Sequence, residues 1–326
     1  MSDQQLVFLA HDPGSCDALY PVYKAWQEPA RFVALGPSAT RLPAYAVTWS
    51  ETEPILLQLA AANKLLGVVI GRDWGTDLDV QVLHWTQAHA IKSVVLLDYW
   101  SNYASSFRDT SGKQYWPDAY FVMDELAKRE ALADGVPENI LHIVGQPALD
   151  QYAVQQRTPT RDILFLSQPL SALYDNQLGY TEWSALADVL SVAQKCERQV
   201  DVKFHPKDVP GFRNQYQSLA VDGDVDVLML QYRLVIGMST MALLHAALMG
   251  IPVVSYQPGL QGNDGCITNK LGLSRGLTDT DALQAVLSGD EDWRPPARSP
   301  GQSLVWQDGK SVERTVQALQ NVFTLS

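Results

Sequence analysis

The chain has 326 residues, of which 46% are hydrophobic and 18% are charged. This length and composition predict a globular protein with two α/β domains and exclude a disordered chain. No apolar run approaches the roughly 20 residues that a membrane span needs, and the first residues lack the basic start of a signal peptide. The net charge of −12 disfavours nucleic acids and anionic membranes as partners. Three widely spaced cysteines, Cys16, Cys196 and Cys266, match no zinc or disulfide spacing and favour a cytoplasmic location.

Short β-branched strands alternate with amphipathic helices through the first half of the chain. Strands are predicted at 5–10, 31–36, 45–49, 66–71, 93–99, 119–124 and 140–145, and helices near 15–27, 52–64, 77–90, 124–134 and 147–156. Strands that are apolar along most of their length predict a parallel sheet that is covered on both faces. The polar stretch QQRTPTRD (155–162) is the predicted linker, so the first domain is expected at 1–156.

The same alternation begins again after the linker. Strands are predicted at 163–167, 200–204, 225–230, 234–238 and 252–256, and helices near 181–196, 240–249 and 280–288. The segment SVERTVQALQNVF (311–323) has helical spacing of its apolar residues and follows the proline-rich stretch 294–303. We therefore expect a second domain at 157–308 and a C-terminal helix, within 309–326, that packs back on the first domain.

Loops after the strands of the first domain are the first candidates for a site, because open parallel sheets bind ligands at the carboxyl ends of their strands. The loop HDPGSCDALYP offers Gly14 for close backbone approach and Ser15 as a helix cap, and it lacks the glycine pattern of dinucleotide dehydrogenases. In GRDWGTDLD (71–79), Thr76 or Asp77 is expected to cap a helix, which is also the simplest role for that loop.

Aromatic, amide and acidic residues after these strands predict a site for a hydroxyl-bearing acceptor. Asp98 ends an apolar strand and is a candidate general base; a structural ion pair with Arg108 is the alternative. Aromatic and amide side chains suit the faces and hydroxyls of sugars. The candidate acceptor contacts are His11, Gly14, Ser15, Trp100, Asn102, Tyr103 and Arg108.

Hydroxyl, amide and basic residues follow the strands of the second domain. They are Ser167, Gln168, Lys203, His205, Pro206, Lys207, Ser239 and Thr240. A histidine that titrates near neutral pH can donate to a phosphate, and a helix N-terminus attracts anions. Helix capping explains one of the two hydroxyls at 239 and 240 but not both. We therefore predict that these residues bind a phosphate-bearing ligand.

Two segments resemble a known fold family. WPDAYFVMDELAKREALADGVPENILHIVGQPALD (116–150) resembles the end of the first domain of GT-B glycosyltransferases and non-hydrolysing nucleotide-sugar epimerases, including its G-x-P-x-x-D turn. Segment 234–256 resembles their nucleotide-binding helix. The resemblance implies a GT-B fold, with two Rossmann-like domains, parallel sheets and a central cleft that holds a nucleotide sugar.

The motifs KFHP and GMST resemble the His-Pro and Ser/Thr motifs of bacterial sialyltransferase-like enzymes and of related Kdo and polyol-phosphate transferases. This resemblance implies that His205, Ser239 and Thr240 hold the leaving phosphate of a cytidine nucleotide, so a CMP-linked sugar is the favoured donor. It implies a metal-independent glycosyltransferase without a separate cofactor. The implied acceptor is a glycan or a lipid-linked molecule in polysaccharide assembly.

Two departures from the family pattern bear on the reaction. Leu244 and His245 stand where many UDP-sugar enzymes place a ribose-binding glutamate. The acidic motif that supplies the base in many sialyltransferases is not evident, so Asp98 and Asp12 take its place as candidate bases. The alternatives are a UDP-sugar-dependent transferase, a nucleotide-sugar 2-epimerase of the same fold, and a non-catalytic protein that binds a nucleotide or sugar.

Overall fold

A computed structural model of the protein describes residues 4–73, 76–290 and 304–323. These residues form two compact units. The first contains the described residues up to Gln151 together with 304–323, and the second begins at Tyr152. The division therefore precedes the predicted boundary at 156, and the chain is back in the first unit before residue 309. The proline-rich stretch 294–303 lies outside the described residues.

The first unit contains a six-stranded parallel sheet. Its strands are β1 (Gln5–Ala10), β2 (Ala30–Ala34), β3 (Leu65–Gly71), β4 (Ser93–Leu96), β5 (Ala119–Val122) and β6 (Leu141–Ile143). Their spatial order is β2-β1-β3-β4-β5-β6. Consecutive residues of β4 and β5 are all buried, so both faces of the sheet are covered, as the apolar strands predict.

The helices of the first unit begin at residues suited to helix starts. They are α1 (Pro13–Ala25), α2 (Gly36–Arg41), α3 (Trp49–Ala61), α4 (Leu78–Ala88) and α5 (Glu125–Ala133). Thr48 and Glu51 form a capping box at α3, and the side chain of Asp124 accepts from Ala127 N at the start of α5. Short 3-10 helices lie at Pro43–Tyr45, Ser105–Phe107, Glu138–Ile140 and Pro147–Leu149.

The second unit contains a five-stranded parallel sheet in the order β11-β10-β9-β7-β8. Its strands are β7 (Arg161–Leu166), β8 (Val200–Lys203), β9 (Tyr232–Gly237), β10 (Val253–Tyr256) and β11 (Arg275–Leu277). Its helices are α6 (Leu170–Tyr174), α7 (Glu182–Lys195), α8 (Pro210–Gln215), α9 (Val225–Met229), α10 (Met241–Leu248), α11 (Ile267–Lys270) and α12 (Thr280–Ser288), with a 3-10 helix at Gln217–Leu219.

The C-terminal helix α13 (Ser311–Phe323), which follows a 3-10 helix at Val305–Asp308, packs in the first unit. Leu319 and Phe323 join the same buried cluster as residues of β1 and α1. The carboxylate of Asp150, the last residue of the G-x-P-x-x-D turn, accepts from the backbone N–H groups of Ser311 and Val312, at 3.0 and 2.7 Å. The turn therefore caps the C-terminal helix of its own unit.

Three predicted elements are wrong. Segment 45–49 is not a strand: Ala46 makes a single parallel bridge to Ala34, and the capping box starts α3 at once. Segment 225–230 is helical because the Asp224 carboxylate accepts from Asp226 N and Val227 N, which outweighs the strand preference of its valines. Segment 147–156 is helical only at its start, in the 3-10 turn Pro147–Leu149.

Candidate functional site

The carboxyl end of the first sheet gathers four carboxylates, and we call this the acidic site. Asp12 follows β1, Asp73 follows β3 and Asp98 follows β4, while Asp79 lies in the first turn of α4. Two basic side chains, His11 and Arg72, lie among the carboxylates. The predicted candidates Asp12 and Asp98 are thus accompanied by three residues, Arg72, Asp73 and Asp79, that the sequence interpretation did not assign.

Asp98 is held against the first turn of α1. A Cβ atom at position 14 would overlap Asp98 Oδ2, so the close approach requires Gly14. The Asp98 backbone oxygen accepts from Gln146 Nε2 at 2.5 Å, which fixes the strand end. Although the residue is partly exposed, burial of its carboxyl group raises the pKa of Asp98 to about 7, against the opposing effects of backbone hydrogen bonding and of Arg72. The negative charges of Asp12 and Asp79 add to the rise.

His11 is clamped between two carboxylates. Its Nδ1 lies 2.8 Å from Asp12 Oδ1 and 3.0 Å from Asp73 Oδ1. A Cβ atom at Gly36, where φ is +47°, would overlap the other edge of the imidazole ring. The hydrogen-bond geometry pairs Nδ1 with Asp12 Oδ1, and Asp73 Oδ1 lies within ion-pair distance of the same nitrogen. The three ligand atoms also lie within 4.8 Å of one another, as a divalent cation requires.

Arg72 and Asp79 form a buried ion pair beneath the loops. Arg72 Nη1 donates to Asp79 Oδ2 at 2.8 Å, and Nη2 donates to the backbone oxygen of Asn102 at 3.2 Å. Burial raises the pKa of Asp79 to about 6, and Arg72 opposes this rise. The pair therefore ties the loop after β3 to the loop after β4. Its sequence signal was present in GRDWGTDLD, where an arginine and several acids follow a strand.

Trp100 and Tyr103 are packing residues and do not face an acceptor. Trp100 is 3% exposed and donates from Nε1 to Asp124 Oδ2 at 3.0 Å. Tyr103 is 5% exposed and donates from its hydroxyl to Glu130 Oε2 at 2.7 Å. Asp124 precedes the first residue of α5 and Glu130 lies within this helix. The polar atoms of the two rings are therefore hydrogen-bonded to the α5 region.

The remaining predicted acceptor contacts differ in their accessibility. Ser15 is fully buried, and its hydroxyl donates to Asp12 O at 2.8 Å, so Asp12, not Ser15, stands at the cap of α1. Arg108 donates to Gln114 Oε1 at 3.2 Å rather than pairing with Asp98. Asn102 is exposed and, together with Arg108, lines a cavity of about 210 Å³ next to Arg72.

The carboxyl end of the second sheet brings the predicted donor residues together, and we call this the polar site. Ser167 and Gln168 follow β7, His205 follows β8, and Ser239 and Thr240 follow β9. The Ser167 backbone donates to Lys203 O at 3.0 Å, and Gln168 Oε1 accepts from Ser239 N at 2.8 Å. These two bonds join neighbouring strand ends of the sheet. Pro206 and Lys207 form the exposed turn beyond His205.

His205 presents a defined tautomer. Its Nδ1 accepts from Lys207 N at 3.1 Å, so in the neutral ring the proton is on Nε2. The His205 backbone donates to Asp208 Oδ2 at 2.8 Å. Burial lowers the pKa of His205, and Lys207 lowers it further, whereas Asp208 opposes them. The ring is therefore neutral at pH 7 and has an Nε2–H donor.

Thr240 is the cap of α10, and Ser239 lies just before it. Thr240 Oγ1 accepts from Ala242 N at 3.3 Å, and both hydroxyl residues are partly exposed. Position 245, where a ribose-binding glutamate stands in many UDP-sugar enzymes, has a different role here. His245 stacks on Tyr152 with ring centroids 4.2 Å apart, and its Nδ1 lies 3.3 Å from Asp226 Oδ1.

None of the helices in the described ranges has the length and apolar character needed to cross a membrane.

No protein-family profile and no curated protein matches the sequence. Solved structures match almost the whole chain. UDP-GlcNAc 2-epimerase from Methanocaldococcus jannaschii has a TM-score of 0.66 at 12% identity, covering 98% of this chain and 100% of that chain. UDP-N-acetylglucosamine 2-epimerase from Rickettsia bellii gives 0.59 at 11% identity, with 97% and 95% coverage. Anabaena Alr3699/HepE, in complex with UDP and glucose, gives 0.55 at 11% identity, with 98% and 95% coverage. These likenesses confirm the predicted GT-B fold class, in which two Rossmann-like α/β units each contain a parallel sheet.

Proposed function

We propose that the protein is a GT-B glycosyltransferase that moves a sugar from a nucleotide-sugar donor to an acceptor hydroxyl. The observation that carries this proposal is the environment of Asp98, a carboxylate at a strand end that is held against Gly14 and whose burial raises its pKa to about 7. A base is most effective when its pKa lies near the working pH, because it is then both ionised and strongly basic. Asp12, next to His11, is the second candidate base.

The polar site is proposed to bind the phosphate of the donor. The neutral His205 donates from Nε2 to a phosphate oxygen, and the N-terminus of α10 with Ser239 and Thr240 supplies further donors and a positive dipole end. When the anomeric carbon bonds to the acceptor oxygen, the bond to the phosphate oxygen breaks, and the acceptor proton passes to the base. Donors aimed at the leaving phosphate stabilise the charge that develops there.

The donor is proposed to contain a cytidine nucleotide, because KFHP and GMST resemble motifs of enzymes that use CMP- or CDP-linked donors. In addition, His245 is not a carboxylate and cannot bind a ribose as the glutamate of many UDP-sugar enzymes does. A structure of the Methanocaldococcus jannaschii epimerase contains UDP-GlcNAc and UDP, and the HepE structure contains UDP and glucose. A thermal-shift panel of CMP, CDP, UDP, GDP and dTDP tests this choice. A ligand at about 100 times its Kd adds roughly 2.7 kcal/mol to stability. Stabilisation by UDP alone would overturn the cytidine assignment.

The same panel on His205→Ala tests the donor site. Loss of nucleotide stabilisation in this variant supports the site, whereas an unchanged shift would show that His205 does not contact the nucleotide. Binding without turnover of any nucleotide sugar would favour a non-catalytic protein.

Nucleotide-sugar 2-epimerisation is the second candidate reaction, because two of the matched structures are UDP-GlcNAc 2-epimerases and the chain covers 100% and 95% of them. An epimerase converts the nucleotide sugar without an acceptor. Proton NMR of UDP-GlcNAc with the protein alone distinguishes the reactions, since epimerisation produces a second anomeric signal while the nucleotide stays attached.

The proposed transfer reaction does not need a metal ion. The arrangement of His11, Asp12 and Asp73 allows this part of the proposal to be tested. Direct contacts of His11 Nδ1 with the two carboxylates, at 2.8 and 3.0 Å, already hold the three side chains close together. We expect transfer to continue in excess EDTA. Loss of activity that Mg²⁺ or Mn²⁺ restores, and that Asp73→Asn abolishes, would assign a cation to this group.

A further inference from the structure

A second cavity in the first unit, of about 350 Å³, has an aromatic wall that the sequence interpretation did not use. Trp49 lies on one side, and Val47 and Leu78 provide apolar surface. His11 and Gln81 supply polar groups to the same cavity. This volume falls within the range of roughly 300–1,000 Å³ that small-molecule sites occupy. We call it the Trp49 cavity.

Backbone hydrogen bonds and a capping box hold the segment that contains Trp49. The backbone of Val47 donates to Ala34 O at 3.2 Å, and Ala46 forms a parallel bridge with Ala34, so this segment is fixed to the end of β2. The capping box of Thr48 and Glu51 then starts α3, with Trp49 as its first residue. Trp49 is partly exposed, so its ring remains accessible.

His11 joins the Trp49 cavity to the acidic site. It lines the cavity, and its Nδ1 contacts the carboxylates of Asp12 and Asp73. A side chain at position 36 would overlap the ring, so Gly36 leaves the space that the ring occupies. A group bound in the cavity therefore lies beside a histidine that contacts two carboxylates of the acidic site.

The lining favours an uncharged ligand with hydroxyl groups. Asp77, Thr48 and Gln81 present carboxylate, hydroxyl and amide groups, and no lysine or arginine is found among the described lining residues. A bound anion would face the Asp77 carboxylate and would find no lysine or arginine among these lining residues. Aromatic rings pack against the C–H face of a pyranose while polar side chains bond its hydroxyls.

We propose that the Trp49 cavity is the acceptor subsite and binds a neutral hexose residue, with one sugar face on the Trp49 ring and its hydroxyls toward Gln81 and His11. This inference rests on the proposed transferase function and names its acceptor class. It also replaces Trp100 and Tyr103, which are buried, with Trp49 as the aromatic contact.

Binding of sugars without any donor tests the subsite directly. The probes are methyl glycosides of glucose, galactose and N-acetylglucosamine, with the methyl glycoside of N-acetylneuraminic acid as the anionic comparison. The chain has nine tryptophans, so the Trp49 signal is taken as the fluorescence difference between the wild type and Trp49→Phe. Trp116→Phe, a tryptophan in the same unit that packs on Phe107, is the matched control. We expect a neutral glycoside to change the Trp49 signal and to leave the Trp116 signal unchanged.

Transfer assays provide the second measurement. We expect Trp49→Ala to raise the acceptor KM at least tenfold while the nucleotide affinity stays within twofold of wild type. Gln81→Ala, at an exposed helix position, should raise the acceptor KM about threefold and serves if Trp49→Ala does not fold.

The two proposals fail in different ways. If no methyl glycoside changes the Trp49 signal, or only the anionic one does, the subsite is wrong whatever the donor results are. If neutral glycosides bind in the Trp49 cavity but no nucleotide sugar is bound or turned over, the transferase proposal fails while the sugar site stands. An unchanged acceptor KM in both Trp49→Ala and Gln81→Ala would overturn the subsite in an active transferase.

Discussion

The two sheets end in loops of different chemistry although they share one architecture. At the acidic site, burial raises the pKa of two carboxylates, Asp98 to about 7 and Asp79 to about 6. At the polar site, burial lowers the pKa of His205, and the neighbouring strand end has the hydrogen bond from Ser239 N to the Gln168 amide oxygen. Burial favours the neutral form of both groups, with different consequences. It gives the carboxyl group a pKa suited to a base at neutral pH, and it keeps the histidine neutral as a hydrogen-bond donor. This difference is the basis for proposing proton transfer in the first unit and phosphate binding in the second.

The largest expected effect is on turnover, from Asp98→Asn. Removal of a general base lowers the rate by about 10²- to 10⁴-fold, and nucleotide affinity should stay unchanged because the polar site is intact. Single-turnover assays with saturating donor measure the rate. Asp109→Asn, which changes a partly exposed turn carboxylate of the same unit, is the matched control. Full activity in Asp98→Asn would remove the basis for assigning proton transfer to this residue.

The pH dependence of the wild type sharpens the same assignment. The base acts when it is ionised, so kcat/KM should rise with pH through a midpoint near 7, the pKa of Asp98. Donor affinity should stay flat over this interval, because His205 has a lowered pKa and is already neutral. If the midpoint of the pH profile of kcat/KM shifted in His205→Asn but not in variants of Asp98, the roles of the two sites would be reversed.

Stability should respond to Asp98→Asn in the opposite direction from activity. A pKa raised from 3.8 to about 7 means that ionisation of Asp98 opposes folding, and one pKa unit corresponds to about 1.4 kcal/mol. The wild type therefore loses up to about 4 kcal/mol of unfolding free energy as pH rises from about 4 to above 7. Asparagine does not ionise, so the variant should be the more stable protein at pH 8, with a difference that shrinks toward pH 5. Urea unfolding at both pH values tests this. A variant less stable than wild type at pH 8 would show that the Asp98 charge is compensated.

A smaller effect is expected at the polar site, from His205→Ala. A hydrogen bond to a charged phosphate contributes about 1.5–3 kcal/mol, so nucleotide affinity should fall about 10- to 100-fold. Isothermal titration with the nucleotide selected by the thermal-shift panel measures the change. His142→Ala, which changes an exposed histidine on β6, is the control and should bind normally. Equal loss in both variants would mean a general loss of stability and not a lost phosphate contact.

The alternation of strands and helices, and the polarity of the strand ends, were predictable from the sequence because both are local. Ser167, Gln168, His205, Ser239 and Thr240 were all predicted for one site, and the parallel sheet brings their strand ends together. Parallel strands force this meeting once their order along the chain is known, whatever their detailed contacts are.

The parts that were not predictable depend on partners distant in the chain. In the sequence, Trp100 and Tyr103 resemble exposed sugar contacts. In the structure, Asp124 and Glu130 of the α5 region accept hydrogen bonds from their polar atoms. Trp49 was assigned to a strand, although the Thr48 and Glu51 pair that starts α3 was visible in the sequence. The pKa of Asp98 is raised by burial and by the charges of Asp12 and Asp79, which are distant in the chain, so no local pattern shows it.

The smallest expected effect separates helix capping from phosphate binding at Thr240. Loss of a threonine cap costs about 1 kcal/mol, so Thr240→Ala should lower the free energy of unfolding by that amount. Asp279→Ala, which removes the cap of α12 in the same unit, should cost a similar amount and is the matched control. If Thr240 also binds the donor phosphate, the nucleotide should raise the Tm of Thr240→Ala less than that of the wild type. Asp279→Ala should keep the full nucleotide-induced rise, and Thr240→Ser should restore it. An equal nucleotide response in the two cap variants would leave Thr240 with capping alone, and His205 with Ser239 as the phosphate contacts of the second unit.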